Sequence, residues 1–255
     1  MSEARYIYCV IDNCGKKTLG NIGLENKKVY PISYKDIGVL VHDCLPQPYQ
    51  SENQETVKSW LLSHERVVEK AWKKFKTVLP LSFDTIVKPD KENSAEENIR
   101  IWLRNEYKDM KQKLSQFKDK AEFGVQVFWY PKLVADRLMD SHQDLKSMNK
   151  EIQSKPIGTA YLYKQKLDQK IRTHMVEESK KCFKEFYEKI KVKVEDIKVE
   201  KIKKPENEKQ MLMNLTCLLH REKSKELGDE LEKIDEEREF SVRFTGPWPP
   251  YSFVS

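Results

Sequence analysis

Two packed domains of the α+β class follow from three observations along this chain. The first 45 residues carry short β-branched and aromatic runs; apolar residues then recur at steps of three and four; and the second half repeats a strand, helix, strand, strand, helix, strand order. At 255 residues the chain exceeds the usual single-domain length, so two cores of ordinary size are expected. The expected division is 1–120, an N-terminal α+β domain, and 121–255, a C-terminal domain of ferredoxin-like (βαββαβ) order with a proline- and aromatic-rich tail.

Tyr6-Ile7-Tyr8-Cys9-Val10-Ile11 reads as a first strand, closed by the turn residues Asp12-Asn13-Cys14-Gly15. Asn21 to Glu25, Lys28 to Tyr34 and Ile37 to His42 follow as a meander, ended by Pro46 and Pro48. Val57, Leu61, Leu62, Val67, Val68, Ala71, Trp72 and Phe75 then mark two helices, or one kinked near Ser63. Val78-Leu79-Pro80-Leu81-Ser82-Phe83 is an apolar strand whose proline suits an edge or a bulge. Ser94 to Phe117 is helical, opened by the capping box Ser94-Ala95-Glu96-Glu97.

In the second half, Phe123, Val125, Val127 and Trp129 alternate on a strand, and a helical region from Pro131 to Ile190 breaks near Pro156-Ile157-Gly158. A charged strand at Asp196 to Lys203, an alternating strand from Met211 to Leu219, a helix through Leu227, Leu231 and Ile234, and a last strand from Phe240 to Phe244 complete the order. Right-handed crossovers place the first and third of these strands centrally and the second and fourth at the edges. Beyond Phe244 the prolines remove backbone donors, so the ladder is expected to stop and the tail to leave as an extended arm.

Composition excludes several classes. Only 38% of residues are hydrophobic and 35% are charged, yet ten Phe, eleven Tyr and five Trp supply enough apolar surface for a packed interior. No signal-peptide pattern and no run of about 18 apolar residues is present, so a cytoplasmic protein off the membrane is expected. The five cysteines show no Cys-x-x-Cys spacing and read as reduced thiols. Net charge of +6 arises from 47 basic and 41 acidic residues interleaved along the chain, which is weak ground for a nucleic-acid partner.

No phosphate loop or nucleophile elbow occurs, and no catalytic, cofactor or metal site is expected. His64-Glu65 lacks the second histidine of a zinc protease helix, since Val68 stands there, and a capping or surface role is expected for it. Asp84 reads as a turn residue. A hydrolase would need His64, Glu65 and Asp84 to converge in one cleft. An RNA-binding ferredoxin-like module is the rival reading, suggested by net charge and Phe128-Trp129-Tyr130, but the strand Met211 to Leu219 holds no aromatic for base stacking. Trp72, Trp102 and Met211 are assigned to the core. Trp248, Tyr251 and Phe253, crowded among prolines, must dock on a surface: the protein's own, as a lock between its domains, or a partner's.

The closing segment Thr245-Gly246-Pro247-Trp248-Pro249-Pro250-Tyr251-Ser252-Phe253-Val254, which follows Arg243 on the last strand, resembles the signature ending of the gas vesicle GvpL/GvpF family. Tyr6-Ile7-Tyr8 resembles its opening strand, His64-Glu65 with Val67-Val68 its helix motif, Thr77-Val78-Leu79-Pro80-Leu81-Ser82-Phe83 its apolar strand, and Gly158-Thr159-Ala160-Tyr161-Leu162 the start of its long helix. One departure is Asp84, where the family writes glycine after the phenylalanine. The resemblance implies a minor structural or assembly protein associated with gas vesicles, with an N-terminal α+β domain and a C-terminal modified ferredoxin-like domain. It implies as partners the gas vesicle shell protein and other accessory Gvp proteins, with no small-molecule substrate, nucleic acid or membrane. GvpF and GvpL are not distinguished by these residues.

Overall fold

The computed structural model of the protein describes residues 4–12, 18–204 and 208–254. Most of the turn expected at Asp12-Asn13-Cys14-Gly15 lies outside these residues. The chain separates into two compact units, Met1–Glu122 with Pro247–Ser255, and Phe123–Gly246. Residues 247–255 therefore belong with the first unit, where the sequence division had placed them with the second.

The first unit is built on β1 (Ala4–Asp12), the most hydrophobic stretch near the start of the chain, which sits inside a sheet of order β2-β3-β4-β1-β5. The other strands are β2 (Gly20–Asn21), β3 (Lys28–Tyr34), β4 (Ile37–Cys44), β5 (Val78–Pro80) and β6 (Ile86–Val87), the last also pairing β1. β1 pairs antiparallel with β4, β5 and β6, as does β3 with β2 and β4. Opposite β4 the register of β1 slips between Ile7 and Cys9, leaving Tyr8 as a bulge residue; bulges re-aim side chains, and Tyr8 is a centre of the site described below. Pro80 falls on the edge strand, where a missing donor is tolerated. The expected strand at Asn21 to Glu25 is shorter than the sequence suggests, because Leu24–Asn26 turns into a 3-10 helix that brings Leu24 inside.

Helix α1 (Gln54–Phe75) is one helix of 22 residues. Asn53 caps it by accepting from Glu55 and Thr56, and its inward face holds His64, Val67, Val68, Ala71 and Trp72. Ser63 does not break it: its hydroxyl donates to the Ser59 carbonyl one turn back. Helices α2 (Ala95–Asn105) and α3 (Tyr107–Gln116) replace the single helix expected there, with Ser94 capping the first by accepting from the Glu97 amide. Trp72 is core, whereas Trp102 is half-buried.

The second unit carries β7 (Lys120–Trp129, entered from the first unit), helices α4 (Pro131–Ser141), α5 (Gln143–Gln153) and α6 (Ile157–Lys191), strands β8 (Asp196–Val199) and β9 (Gln210–His220), helix α7 (Ser224–Asp235) and β10 (Phe240–Trp248). Sheet order is β10-β7-β9-β8, so the first and third strands are central and the second and fourth lie at the edges, the order that right-handed crossovers require. The inward face of β7 alternates as expected, with Phe123, Val125, Val127 and Trp129 all buried. Helix α6 contributes Leu167, Cys182, Phe186 and Ile190, and the Phe186 ring meets Phe240 edge-on at 4.9 Å. Arg137 ties α4 to the lead into β10 through both oxygens of Glu239 at 2.8 Å, and reaches Glu178 on α6 at 2.9 Å.

The expected end of the last strand is overturned. β10 runs four residues past Phe244, through Gly246 and Pro247 to Trp248. Gly246 takes φ 117°, a conformation that glycine enters at low cost, and an edge strand tolerates the donor that Pro247 lacks. The tail then closes as a helical turn, α8 (Tyr251–Val254), not as an extended arm.

Candidate functional site

The two tyrosines of the Tyr6-Ile7-Tyr8 motif enter a buried polar network in the first unit. Tyr6 meets His64 Nδ1 at 2.8 Å, and Tyr8 meets His42 Nδ1 at 2.8 Å. At His64 a backbone partner fixes the proton position. His64 Nε2 faces the Leu81 carbonyl at 3.2 Å, which only accepts, so the proton is on Nε2 and Nδ1 accepts from the Tyr6 hydroxyl. The Tyr6 oxygen in turn accepts from the Asp84 amide at 3.1 Å. The Tyr8 oxygen likewise accepts from the Leu24 amide at 2.9 Å, and His42 bridges the Tyr8 hydroxyl to the Tyr49 hydroxyl, which lies 3.0 Å from Nε2.

Both rings of this network have a partner at each nitrogen while neutral. Burial drives the titration of both histidines down to about 4, and it pushes the phenols of Tyr6 and Tyr8 well above the ordinary tyrosine range. Gly23 closes the network: a Cβ there would stand 2.7 Å from the Tyr8 hydroxyl. Asp84 adopts φ 66°, so the position written as glycine in the resembled family does hold a left-handed turn here, which Asp tolerates. Its carboxylate accepts from the Tyr49 amide at 2.9 Å. Tyr49 also lines a cavity of about 500 Å³ with Trp60, Glu25, Lys27 and Asp43.

The tail forms a second cluster in the same unit. Pro249 and Pro250 are buried, and the Tyr251 amide donates to the Pro249 carbonyl at 2.8 Å as the turn begins. Glu122 holds that turn by both oxygens, accepting from the Ser252 amide at 2.7 Å and from the Ser252 hydroxyl at 2.8 Å. A carboxylate at the amino end of a helical turn is the charge arrangement such an end favours. Val254 reaches a small cavity lined by Val10, Leu79, Leu81, Trp102 and Met110. Trp248 stays 50% exposed. Together with Pro249, Tyr251, Glu65, Glu69 and Glu122 it encloses a cavity of about 330 Å³.

A model of the family described as gas vesicle synthesis protein GvpL/GvpF matches residues 4–255. The chain belongs to the GvpL/GvpF family. Across its full length this GvpL/GvpF chain is 29% identical to gas vesicle protein L1 of Halobacterium salinarum, covering 91% of that protein, and 24% identical to gas vesicle protein F of a Nostoc species, covering 99%. The crystal structure of GvpF from an Anabaena species aligns with a TM-score of 0.76 at 23% identity, over 100% of this chain and 99% of that one. That likeness concerns the fold.

The motifs of this GvpL/GvpF member do not gather at one place. His64, Leu79, Pro80 and Phe83 lie around β1, with the Phe83 ring 6.1 Å from Tyr6 and 6.0 Å from His64. His64 is a core residue, which corrects the expected capping or surface role. Glu65, its neighbour in sequence, faces solvent and the tail cavity. His64 and Asp84 do meet, through the Tyr6 hydroxyl, but Glu65 is not with them, so the hydrolase constellation does not assemble. Pro247, Trp248, Pro249, Pro250, Tyr251 and Phe253 fall in the first unit, whereas Arg243, Thr245 and Gly246 fall in the second. Arg243 lies over the Phe128 ring at 5.3 Å and donates to Gln126 at 3.4 Å. Thr245 covers Gly124 so closely that a Cβ there would stand 2.6 Å from its hydroxyl.

Gly158 and Tyr161 open α6, where Tyr161 is 63% exposed beside exposed Ile157 and Leu162. Nothing lies within 4 Å of a Cβ built on Gly158, so packing does not explain that glycine. In the Phe128-Trp129-Tyr130 cluster Phe128 and Trp129 are both buried, with Phe128 beneath Arg243. Tyr8, His42, Tyr49, Glu69 and Glu122 escaped the sequence reading as site residues. The one available signal was a histidine, His42, on an otherwise apolar strand.

Proposed function

We propose that this GvpL/GvpF protein is an accessory factor of gas vesicle assembly that binds the gas vesicle shell protein and other Gvp proteins in the cytoplasm, with binding rather than turnover as its activity. In this reading the first unit is an α+β domain and the second a modified ferredoxin-like domain, both serving as docking platforms. The observation that carries the proposal is the outer strand of the second unit's sheet. β10 has no strand beyond it in the sheet order, and its residues from Arg243 to Gly246 are exposed. One of its amides, at Val242, is already taken by the Asp235 carboxylate at 2.6 Å. The rest is an edge of the kind that accepts an added strand, and an aggregation-prone subunit can be held that way before it assembles.

Hydrogen exchange on the full chain, with and without purified shell protein, tests this. Slowed exchange over residues 240–246 is expected on adding shell protein. Binding without protection there would remove the edge from the account, and failure to bind at all would remove the shell protein.

A further inference from the structure

The cavity beside Trp248 fits a cationic guest. Its residues, Glu65, Glu69, Glu122, Trp248, Pro249 and Tyr251, all belong to the first unit. Glu65 and Glu69 stand one turn apart on α1, so both carboxylates share one face of the helix. Glu65 forms no ion pair with another described residue. Glu69 meets Lys73 at 2.5 Å, but that pair lies on the surface, where such contacts are weak and readily exchanged. The half-exposed Trp248 indole and Pro249 line the same cavity. Tyr251 adds a buried hydroxyl with no hydrogen-bond partner among the described residues. Burial first, and then the charges of neighbours that include Glu65 and Glu122, hold that phenol in its neutral, donating form.

We propose that this cavity captures an arginine side chain presented by a partner polypeptide. The reading rests on the proposed function and names the chemistry of one contact in it. A guanidinium is planar, spans paired carboxylates with its fork of donors and stacks on indole, whereas a phosphate or a carboxylate would be repelled by the glutamates. About 330 Å³ accommodates a side chain and excludes a folded element.

The test is a titration of isotope-labelled full-length protein with N-acetyl-arginine-methylamide, followed by NMR at the Trp248 indole and at the amides of Glu65, Glu69 and Glu122. Saturable shifts confined to these signals are expected. They should weaken at least tenfold in E65Q/E69Q, and weaken also in W248L, which keeps an apolar side chain but loses the indole face. The uncharged isostere N-acetyl-citrulline-methylamide should give none. Equal shifts with citrulline, shifts retained in E65Q/E69Q, or no shift with arginine would overturn the proposal, and a lysine probe binding as tightly as arginine would overturn the choice of guanidinium. Unchanged spectra elsewhere show that each variant is folded. Failure here with shell-protein binding intact breaks this inference alone; the converse breaks the proposed function alone.

Discussion

Two aromatic and polar clusters of the first unit differ in one respect that decides their roles. Around β1, Tyr6, Tyr8, His42, His64 and Tyr49 are joined by hydrogen bonds at every ring nitrogen and hydroxyl, and a glycine seals the packing. Around the tail, Trp248 is half in solvent, Glu65 has no cationic partner among the described residues and the Tyr251 hydroxyl has no acceptor. A closed network specifies a core, because each member would leave a buried group unsatisfied if it moved. An open one has interactions still to make. The difference places the first cluster in the core and is the ground for proposing the second as a binding site.

Acid should break the closed cluster with the largest effect. Both histidines titrate at about 4 in the fold against 6.5 when exposed, so the unfolded chain takes up protons first as pH falls. Their contribution is complete above pH 6.5 and is lost between 6.5 and 4, on the order of 3 kcal/mol for each histidine. Denaturant midpoints measured from pH 7.5 to 4.5 check this, and replacing His64 with an apolar residue should flatten the curve. Next in size, Tyr6→Phe strands His64 Nδ1 and the Asp84 amide, for a loss of about 2–3 kcal/mol in equilibrium unfolding. Asp84→Ala should cost about 1–2 kcal/mol, from backbone strain at positive φ and from the lost acceptor for Tyr49. Smallest, Glu65→Gln should change stability by less than about 0.5 kcal/mol, as an exposed position does, while weakening cation binding. A large stability loss in that variant would erase the contrast between the clusters.

Much of the fold was legible because it rests on period and punctuation. The strand order of the second unit follows from a β-α-β-β-α-β sequence and the handedness of crossovers, and Pro80, which suits an edge or a bulge, falls on the edge strand β5. The tail was legible as a docked element but not in its shape. Pro247 and Pro250 read as chain stiffeners, yet proline is tolerated on an edge strand and also just ahead of a helical turn, and only Glu122, 130 residues from Ser252 in sequence, makes that turn favourable. His64 was misjudged for a similar reason. On a helix rich in charges a lone histidine looks solvated, and its burial depends on Tyr6 and Leu81, which the helix sequence does not mention. Long-range hydrogen-bond partners were the missing information in each case.

The direct test of the central contrast, a closed cluster for the core and an open one for a partner, is recovery of the shell protein from co-expression with tagged full-length chain, comparing wild type with Trp248→Ala. The account predicts severalfold less shell protein with the variant, at a melting temperature within about two degrees of wild type, since Trp248 is half-exposed and outside the closed network. Equal recovery from both would contradict a part for the tail cluster in that binding.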